Sequence, residues 1–379
     1  MSSKKLNVAV IFGGRSGEHE VSLVSASSVM KSLDKKKYNV IPVGITKVGA
    51  WIAGRDSIKL LKNNNISKQL KTLITPDSTS RALVPLEKGA LSSRIDVVFP
   101  VMHGTYGEDG AIQGLLELAD LPYVGCGVLS SAIVMDKITQ KKLCESSEIL
   151  IPDWVWFTNK EWRWIKSNKA VFKKWLASVE KRIKYPLFVK PSNLGSSVGI
   201  SKAHNKDELI KAINFAAKYD RRILVEQGIE EAMEIEVAVL GNDKPEASVP
   251  GQVMASNEFY DYNAKYVDGK SEVKIPAELP KDVIRTIQEL AIRVYKLLDC
   301  AGMARADFMI KKKGKNFQIF FNELNSIPGF TSISMYPKLW EASGISYTML
   351  LDTLIRLAIE RHTEKSLLST THKTKEWYK

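Results

Sequence analysis

No run of about 18 apolar residues occurs in the 379-residue sequence, so no segment reads as a helix crossing a bilayer. The opening residues pass from MSSKKLN into a strand pattern without the apolar core of a signal peptide, and the expectation is a cytoplasmic protein with no membrane insertion. Only three cysteines occur, Cys126, Cys144 and Cys300, widely spaced and without a C-x-x-C pair. That excludes a disulfide framework and argues against a zinc site. Acidic residues are in deficit, leaving a formal charge of +13. A basic chain invites a nucleic-acid reading, but no helix-turn-helix, zinc-finger or aromatic RNP pattern accompanies it. No nucleic-acid partner is expected. Much of the excess lies between Lys160 and Lys184, where Trp162, Trp164 and Trp175 follow Trp154 and Trp156. That stretch reads as a helix pair with a solvated basic face and tryptophan packing. No Ser-His-Asp or Cys-His arrangement demands a side-chain nucleophile.

What is present points to two or three domains with ample apolar cores. The stretch from Met303 to Tyr336 organises the rest. Two apolar runs, ADFMI and FQIFF, flank the turn-prone KKKGKN and read as a β-hairpin. Side chains alternate along a strand, so Arg305 and Asp307 share one face and Glu323 and Asn325 share another. If the turn pairs odd positions with odd, all four converge. A cation, two carboxylates and an amide oxygen then meet at one end of the hairpin, a donor set suited to a hard divalent metal holding a polyphosphate.

Further segments carry their own chemistry. LNVAVIF followed by GGRSGEHEVSLVSASSVMKSL reads as strand, glycine turn and a helix from about Glu20. The spacing is not G-x-G-x-x-G, and two acids beside the turn would repel a pyrophosphate. IDVVFPVM ends in HGTYGEDGAIQG, again at the carboxyl end of a strand, where open α/β sheets place their sites. Asp136 and Lys137 are expected within one helix beginning near Ser130. Lys190 ends a strand that feeds NLGSSVGISK, a flexible Gly/Ser loop whose N–H and hydroxyl groups suit phosphates. Residues 258–276, EFYDYNAKYVDGKSEVKIP, have the length of a lid.

Taken together these motifs resemble the D-alanine–D-alanine ligases of the ATP-grasp superfamily. The resemblance runs from Val8 to about Leu357, interrupted by the Lys160–Lys184 insert. It implies an α/β chain, α+β in its central and C-terminal parts, with a three-domain ATP-grasp architecture. Residues 1–125 would form an open parallel-sheet substrate domain, 126–229 the central lid domain, and 230–379 the C-terminal domain with an ω-loop and the metal hairpin. The implied reaction is ATP-dependent ligation of two D-alanines through a D-alanyl phosphate, as a homodimer. D-alanyl-D-lactate synthesis, another carboxylate–amine ligation and a nucleotide-binding regulatory role stand as alternatives.

The resemblance also implies roles. Glu18 would meet the first substrate's ammonium, with His103 as a substrate-side polar group whose plain alternative is a satisfied turn histidine. Lys137, Lys190 and Lys265 would contact phosphates, and Ser196 would link Glu18 to Tyr266, which closes over the second substrate. Ser197, Val198 and Gly199 belong to the closing loop. Glu226, Gln227 and Ile229 would read adenine, and Glu234, with Glu231 as a rival, the ribose. Arg305 and the N–H of Gly329 would stabilise an oxyanion. Ser334 and Met335 would hold a carboxylate at a helix start. Asp307, Glu323 and Asn325 would hold two magnesium ions, manganese being an alternative.

Overall fold

The computed structural model describes residues 4–63, 71–86, 92–254, 272–331 and 333–370. β1 (Leu6–Gly13) pairs in parallel with β2 (Tyr38–Ile45) and, on its other side, with β7 (Val97–Val101). An antiparallel edge strand, β3 (Trp51–Ala53), completes the order β3-β2-β1-β7. β1 is apolar without alternation because both its faces are covered: Val8, Val10 and Phe12 enter one core, Ala9 and Ile11 another. Helix α1 (His19–Ser32) follows β1. The polar stretch after β3 holds α2 (Ser57–Lys62) and a small sheet of β4 (Thr72–Ile74), β5 (Ala82–Pro85) and β6 (Ser93–Arg94). Beyond β7, helix α3 (Ala111–Leu118) begins after Gly110, whose φ of 91° suits glycine.

The single helix expected from Ser130 is two. α4 (Val128–Met135) stops where Asp136 turns extended, and Asp136 caps α5 (Lys137–Ser146) by accepting the Thr139 N–H. An aspartate competes well for backbone donors and is a better cap than helix interior, which is why the chain breaks there.

The central sheet is antiparallel, in the order β10-β9-β11-β8, from β8 (Trp154–Thr158), β9 (Leu187–Pro191), β10 (Ser201–Ala203) and β11 (Arg222–Gln227). The basic insert is the expected helix pair, α6 (Asn159–Ser167) and α7 (Lys169–Arg182). Thr158 and Glu161 close α6 with a reciprocal capping box. Trp162 and Trp175 stack among Phe157 and Phe172, whereas Trp164 is exposed. With α8 (Lys206–Ala216) these elements form a core of their own.

The third sheet holds β12 (Met233–Gly241), β13 (Glu246–Ala247), β14 (Gly251–Met254), β15 (Glu272–Lys274), β16 (Gly302–Lys313) and β17 (Asn316–Asn325). Alternation decides its faces. Ala304, Ala306, Phe308 and Ile310 of β16, with Ile235, Val237 and Val239 of β12, pack beneath α9 (Lys281–Leu297). Glu234, Glu236, Arg305 and Asp307 therefore point the other way, into the cleft.

The hairpin reaches its convergence by a different route from the one expected. Its turn pairs Lys313 with Asn316, so the outer ladder sets odd residues against even ones, Met309 against Phe320. A bulge between Asp307 and Phe308 leaves Asn322 without an opposite number, and inside it Asp307 faces Glu323 and Arg305 faces Asn325. On the outer edge of β17 the Phe321 N–H bonds to the Leu150 carbonyl at 2.8 Å.

Two helices close the chain, α10 (Met335–Ala342) and α11 (Tyr347–Ser366). Leu350, Leu354 and Ile355 of α11 share one core with Val8, Phe12 and Val29. Lys37 and Tyr38 both reach Asp352 across that seam. No helix among the described residues is long and apolar enough to cross a membrane.

Candidate active site

Two adjoining cavities, of about 270 and 110 Å³, open between the three sheets and share Ser197, Glu236 and Glu323 in their walls. The larger is bounded by the loops after β1, β7 and β9 and by the segment linking β17 to α10. Glu18, at the start of α1, is buried and accepts a short hydrogen bond from the Ser196 hydroxyl. Space for its carboxylate exists because its neighbours are glycines. A Cβ on Gly104 would lie 2.5 Å from Glu18 Oε2, and one on Gly195 would lie 2.7 Å from the same atom. The expected outcome for Gly195→Ala is a fall in kcat/KM of about 10²-fold with little loss of thermal stability, because the loop must carry Ser196 about 1 Å away. Steady-state kinetics alongside a melting curve checks it.

Ser196 and Ser197 both adopt left-handed backbone, with φ of 47° and 59°. This strained turn is closed by Val198 N–H to Gly195 carbonyl at 3.1 Å, and it leaves Ser197 facing both cavities. Val198 lines neither.

His103 is buried, with Nδ1 3.2 Å from the Ile327 carbonyl and Nε2 3.1 Å from Ser25 Oγ. A carbonyl only accepts, so the ring proton belongs on Nδ1 and Nε2 accepts from the serine. Burial pushes the His103 pKa below its ordinary value, with Glu18 and the Ile327 carbonyl opposing less strongly. Its ring forms part of the larger cavity's wall.

Glu108, absent from the expected site, lines the same cavity and accepts from the N–H groups of Gly104 at 2.8 Å and Ile327 at 3.1 Å. Burial and then the nearby Glu18 carboxylate push its pKa up to about 8. A raised folded-state pKa gives stability that is fully present below the unfolded value and lost as pH climbs through about 8. Tm measured from pH 5 to pH 9 is expected to fall more steeply for the natural protein than for Glu108→Gln. The limiting slope of that difference is about 1.4 kcal/mol per pH unit. Parallel curves would refute it.

The smaller cavity is walled by β9, β11 and β12. Lys190, Glu226, Gln227, Ile229 and Glu234 all face it, and Glu231 does not. Glu231 is exposed in a turn with φ of 57°, so the geometry favours Glu234 over its rival. Glu226 is almost wholly buried between two lysines, Lys190 on Oε1 and Lys141 at 2.8 Å from Oε2. Burial alone would raise its pKa, but the two ammonium groups outweigh it and hold Glu226 at about 2. Lys190 shifts upward in turn, Glu226 and Glu323 outweighing its own burial. Lys137 sits at the junction of the cavities, 3.1 Å from Glu323 Oε2 and donating to the Leu194 carbonyl at 2.9 Å.

At the floor, Arg305 grips Asp307 with both ends of its fork, at 2.7 and 2.6 Å, and touches Glu236 at 2.9 Å. Glu236, Asp307 and Glu323 are neighbours across three strands, so three carboxylates stand in a row. Arg305 is driven well above its ordinary pKa; burial opposes this, and Asp307 and Glu236 outweigh it. Asn325 turns its amide N–H to Asp307 at 3.0 Å. Among the described residues no three His, Cys, Asp or Glu side chains are gathered into a metal cage. Two carboxylates and an amide beside phosphate-binding lysines nevertheless fit magnesium, which keeps water and substrate phosphate as most of its ligands.

Gly329, Ser334 and Met335 close the larger cavity. Ser334 caps α10 by position, and its hydroxyl accepts the Thr331 N–H at 3.0 Å. A Cβ on Gly329 would lie 2.6 Å from Ser334 Oγ. Lys265 and Tyr266 lie outside the described residues. Every other expected site residue borders one cavity or the other, except Val198 and Gly199 of the closing loop and the rival Glu231. Three that sequence reasoning missed are Lys141, Glu236 and Glu108. The E-x-E alternation before V-A-V could have signalled Glu236, and the acid pair of G-E-D-G could have signalled Glu108; Lys141 had no local signal.

A parallel α/β unit joined to two antiparallel sheets, with Lys190 of one sheet and Lys137 of α5 facing carboxylates on the other, defines an ATP-grasp protein. Residues 7–126 match the family described as D-ala D-ala ligase N-terminus, and residues 143–356 match D-ala D-ala ligase C-terminus. A D-alanine--D-alanine ligase of Thermoanaerobacter sp. (strain X514) is 52% identical, covering 96% of this chain and 99% of the relative. The solved D-alanine-D-alanine ligase from Coxiella burnetii superposes with a TM-score of 0.80 at 36% identity, covering 96% of this chain and 97% of its own. The VanG D-Ala:D-Ser ligase from Enterococcus faecalis does so with a TM-score of 0.80 at 38% identity, covering 94% and 100%. The chain belongs to the D-alanine–D-alanine ligase family.

Proposed function

We propose that the protein joins two D-alanines into D-alanyl-D-alanine for peptidoglycan synthesis, consuming ATP. A carboxylate does not react with an amine at neutral pH because its leaving group would be oxide. Transfer of the ATP γ-phosphoryl group to the first D-alanine carboxylate supplies a leaving group. The second D-alanine's amine then attacks, and the tetrahedral intermediate expels phosphate. The observation that carries this reading is the meeting, in one cleft, of the Ser196–Glu18 pair with Lys137, Arg305 and the carboxylates of the hairpin.

In this reading Glu18 receives the first substrate's ammonium, and Ser334 and Met335 receive the second substrate's carboxylate at the positive end of α10. Lys137 and Lys190 hold phosphates. Arg305 and the Gly329 N–H stabilise the oxyanion. Asp307, Glu323 and Asn325 would hold magnesium, which when bound supplies positive charge against the phosphates. Exclusion of water protects the acyl phosphate from hydrolysis. The reading divides the chain near residues 125 and 229 into substrate, nucleotide and metal-binding units. It also takes the protein as a cytoplasmic homodimer.

The test is ADP and phosphate release with ATP and magnesium, given D-alanine, L-alanine, or D-alanine with D-lactate or D-serine, and mass detection of products. Turnover with D-alanine alone, yielding the dipeptide, is expected. ATP binding without turnover on D-alanine overturns the assignment.

A further inference from the structure

Lys141 has no part in the reaction as described, yet it is among the most buried charged groups in the protein, its side chain 3% exposed. It rises from α5 toward β11 and meets Glu226 from the side opposite Lys190. The 2.8 Å contact is a close charge pair between Lys141 Nζ and Glu226 Oε2, and neither atom has a further polar partner among the described residues. Burying an ammonium with its donors unfilled is unfavourable, and an aliphatic side chain would fill the place at lower cost if packing were all that mattered. Glu226 lines the smaller cavity, and its other oxygen, Oε1, is held by Lys190.

The two lysines differ in freedom. Lys190 lies in the wall of the smaller cavity, whereas Lys141 lines neither cavity. An incoming polyphosphate competes with Glu226 for Lys190 and leaves Lys141 where it is. Were Lys190 the sole partner, its departure would strand a buried carboxylate.

We propose that Lys141 is a positioning residue of the nucleotide site. It balances Glu226 when Lys190 turns to phosphate, so that the carboxylate stays in place and Oε1, the oxygen Lys190 leaves, accepts the 6-amino group of an adenine. The same arrangement selects against guanine, whose 6-oxo group would face the carboxylate with no proton to share. The inference rests on the reading of the smaller cavity as the base site.

The experiment compares the full-length natural enzyme with Lys141→Met, Lys141→Arg and Glu226→Gln in dipeptide synthesis, using ATP and GTP. For Lys141→Met the KM for ATP is expected to rise 10- to 100-fold while kcat falls less than threefold and the KM for D-alanine is unchanged. Its preference for ATP over GTP narrows at least tenfold, and Lys141→Arg recovers most of both effects. An unchanged KM for ATP and unchanged nucleotide preference in Lys141→Met, with Glu226→Gln still losing that preference, overturns the role of Lys141 alone. Unaltered preference in Glu226→Gln overturns the base-site reading on which it rests. If Lys141→Met does not fold, the decision passes to Lys141→Arg: a KM for ATP and preference both within twofold of the natural enzyme support the proposal. A joint fall in kcat and in affinity for both substrates marks a merely structural lysine.

Discussion

Arg305→Met is expected to lower kcat by about 10³-fold, the scale set by removing a preorganised charge-stabilising donor from a water-poor site. The same change should destabilise the fold by about 3–5 kcal/mol, because it leaves two largely buried carboxylates, Asp307 and Glu236, without the cation that balances them. Both effects arise from one side chain whose fork holds Asp307 at two points and reaches Glu236 as well. Lysine is not a substitute: a single ammonium cannot span both acids, so Arg305→Lys should recover some stability but little turnover. Steady-state ADP release and urea unfolding measure the two effects separately. Retention of more than a tenth of kcat in Arg305→Met would rule out its proposed part in catalysis.

Inserting one alanine between Asp307 and Phe308 should be as damaging, for a geometric reason. The added residue gives Asn322 an opposite number and makes the ladder regular, so Asp307 stands two positions from Phe308, as Glu323 does from Phe321, and each pair must share one face. Either the carboxylates turn toward the core or the aromatic pair turns into the cleft. The core beneath is closely packed around Phe308 and Phe321 and offers no partner for a carboxylate. Turnover should drop below detection, and the melting temperature should fall by several degrees as the strand either buries a charge or slides. Asn322→Ala keeps the residue count and the bulge and should retain turnover within about tenfold. If the insertion variant remains active, the bulge does not set the register of the site.

The four groups of the hairpin were legible because a strand's period of two is rigid: once Arg305 and Asp307 were placed on a strand, they had to share a face. The device that aligns them with Glu323 and Asn325 was not legible. A bulge is one uncounted residue in an otherwise uniform apolar run, and nothing in FQIFFNELN marks which residue lacks a partner. Asp136 shows the opposite case, where capping chemistry in the sequence could have divided α4 from α5 had periodicity not been followed through it. Lys141 was beyond reach for a third reason. Its partner lies on a strand 85 residues downstream, and a lysine in a helix looks solvated until tertiary packing covers it. The order of strands in the central sheet likewise depends on pairings between distant segments, on which local pattern is silent.

The division of the cores has a consequence for synthesis on the ribosome. Among the described residues the central core draws on positions between Val155 and Val225, so what it requires has been made once β11 has emerged. β1 is made first, yet its Val8, Val10 and Phe12 share a core with Phe330, Tyr336 and Leu354, near the other end of the chain. The earliest strand must therefore keep an apolar face waiting while more than three hundred residues are translated, whereas the middle of the chain can fold as it appears. Order of synthesis and order of completion run in opposite senses for this protein, and its N-terminal strand is the segment most in need of protection from aggregation in the interval.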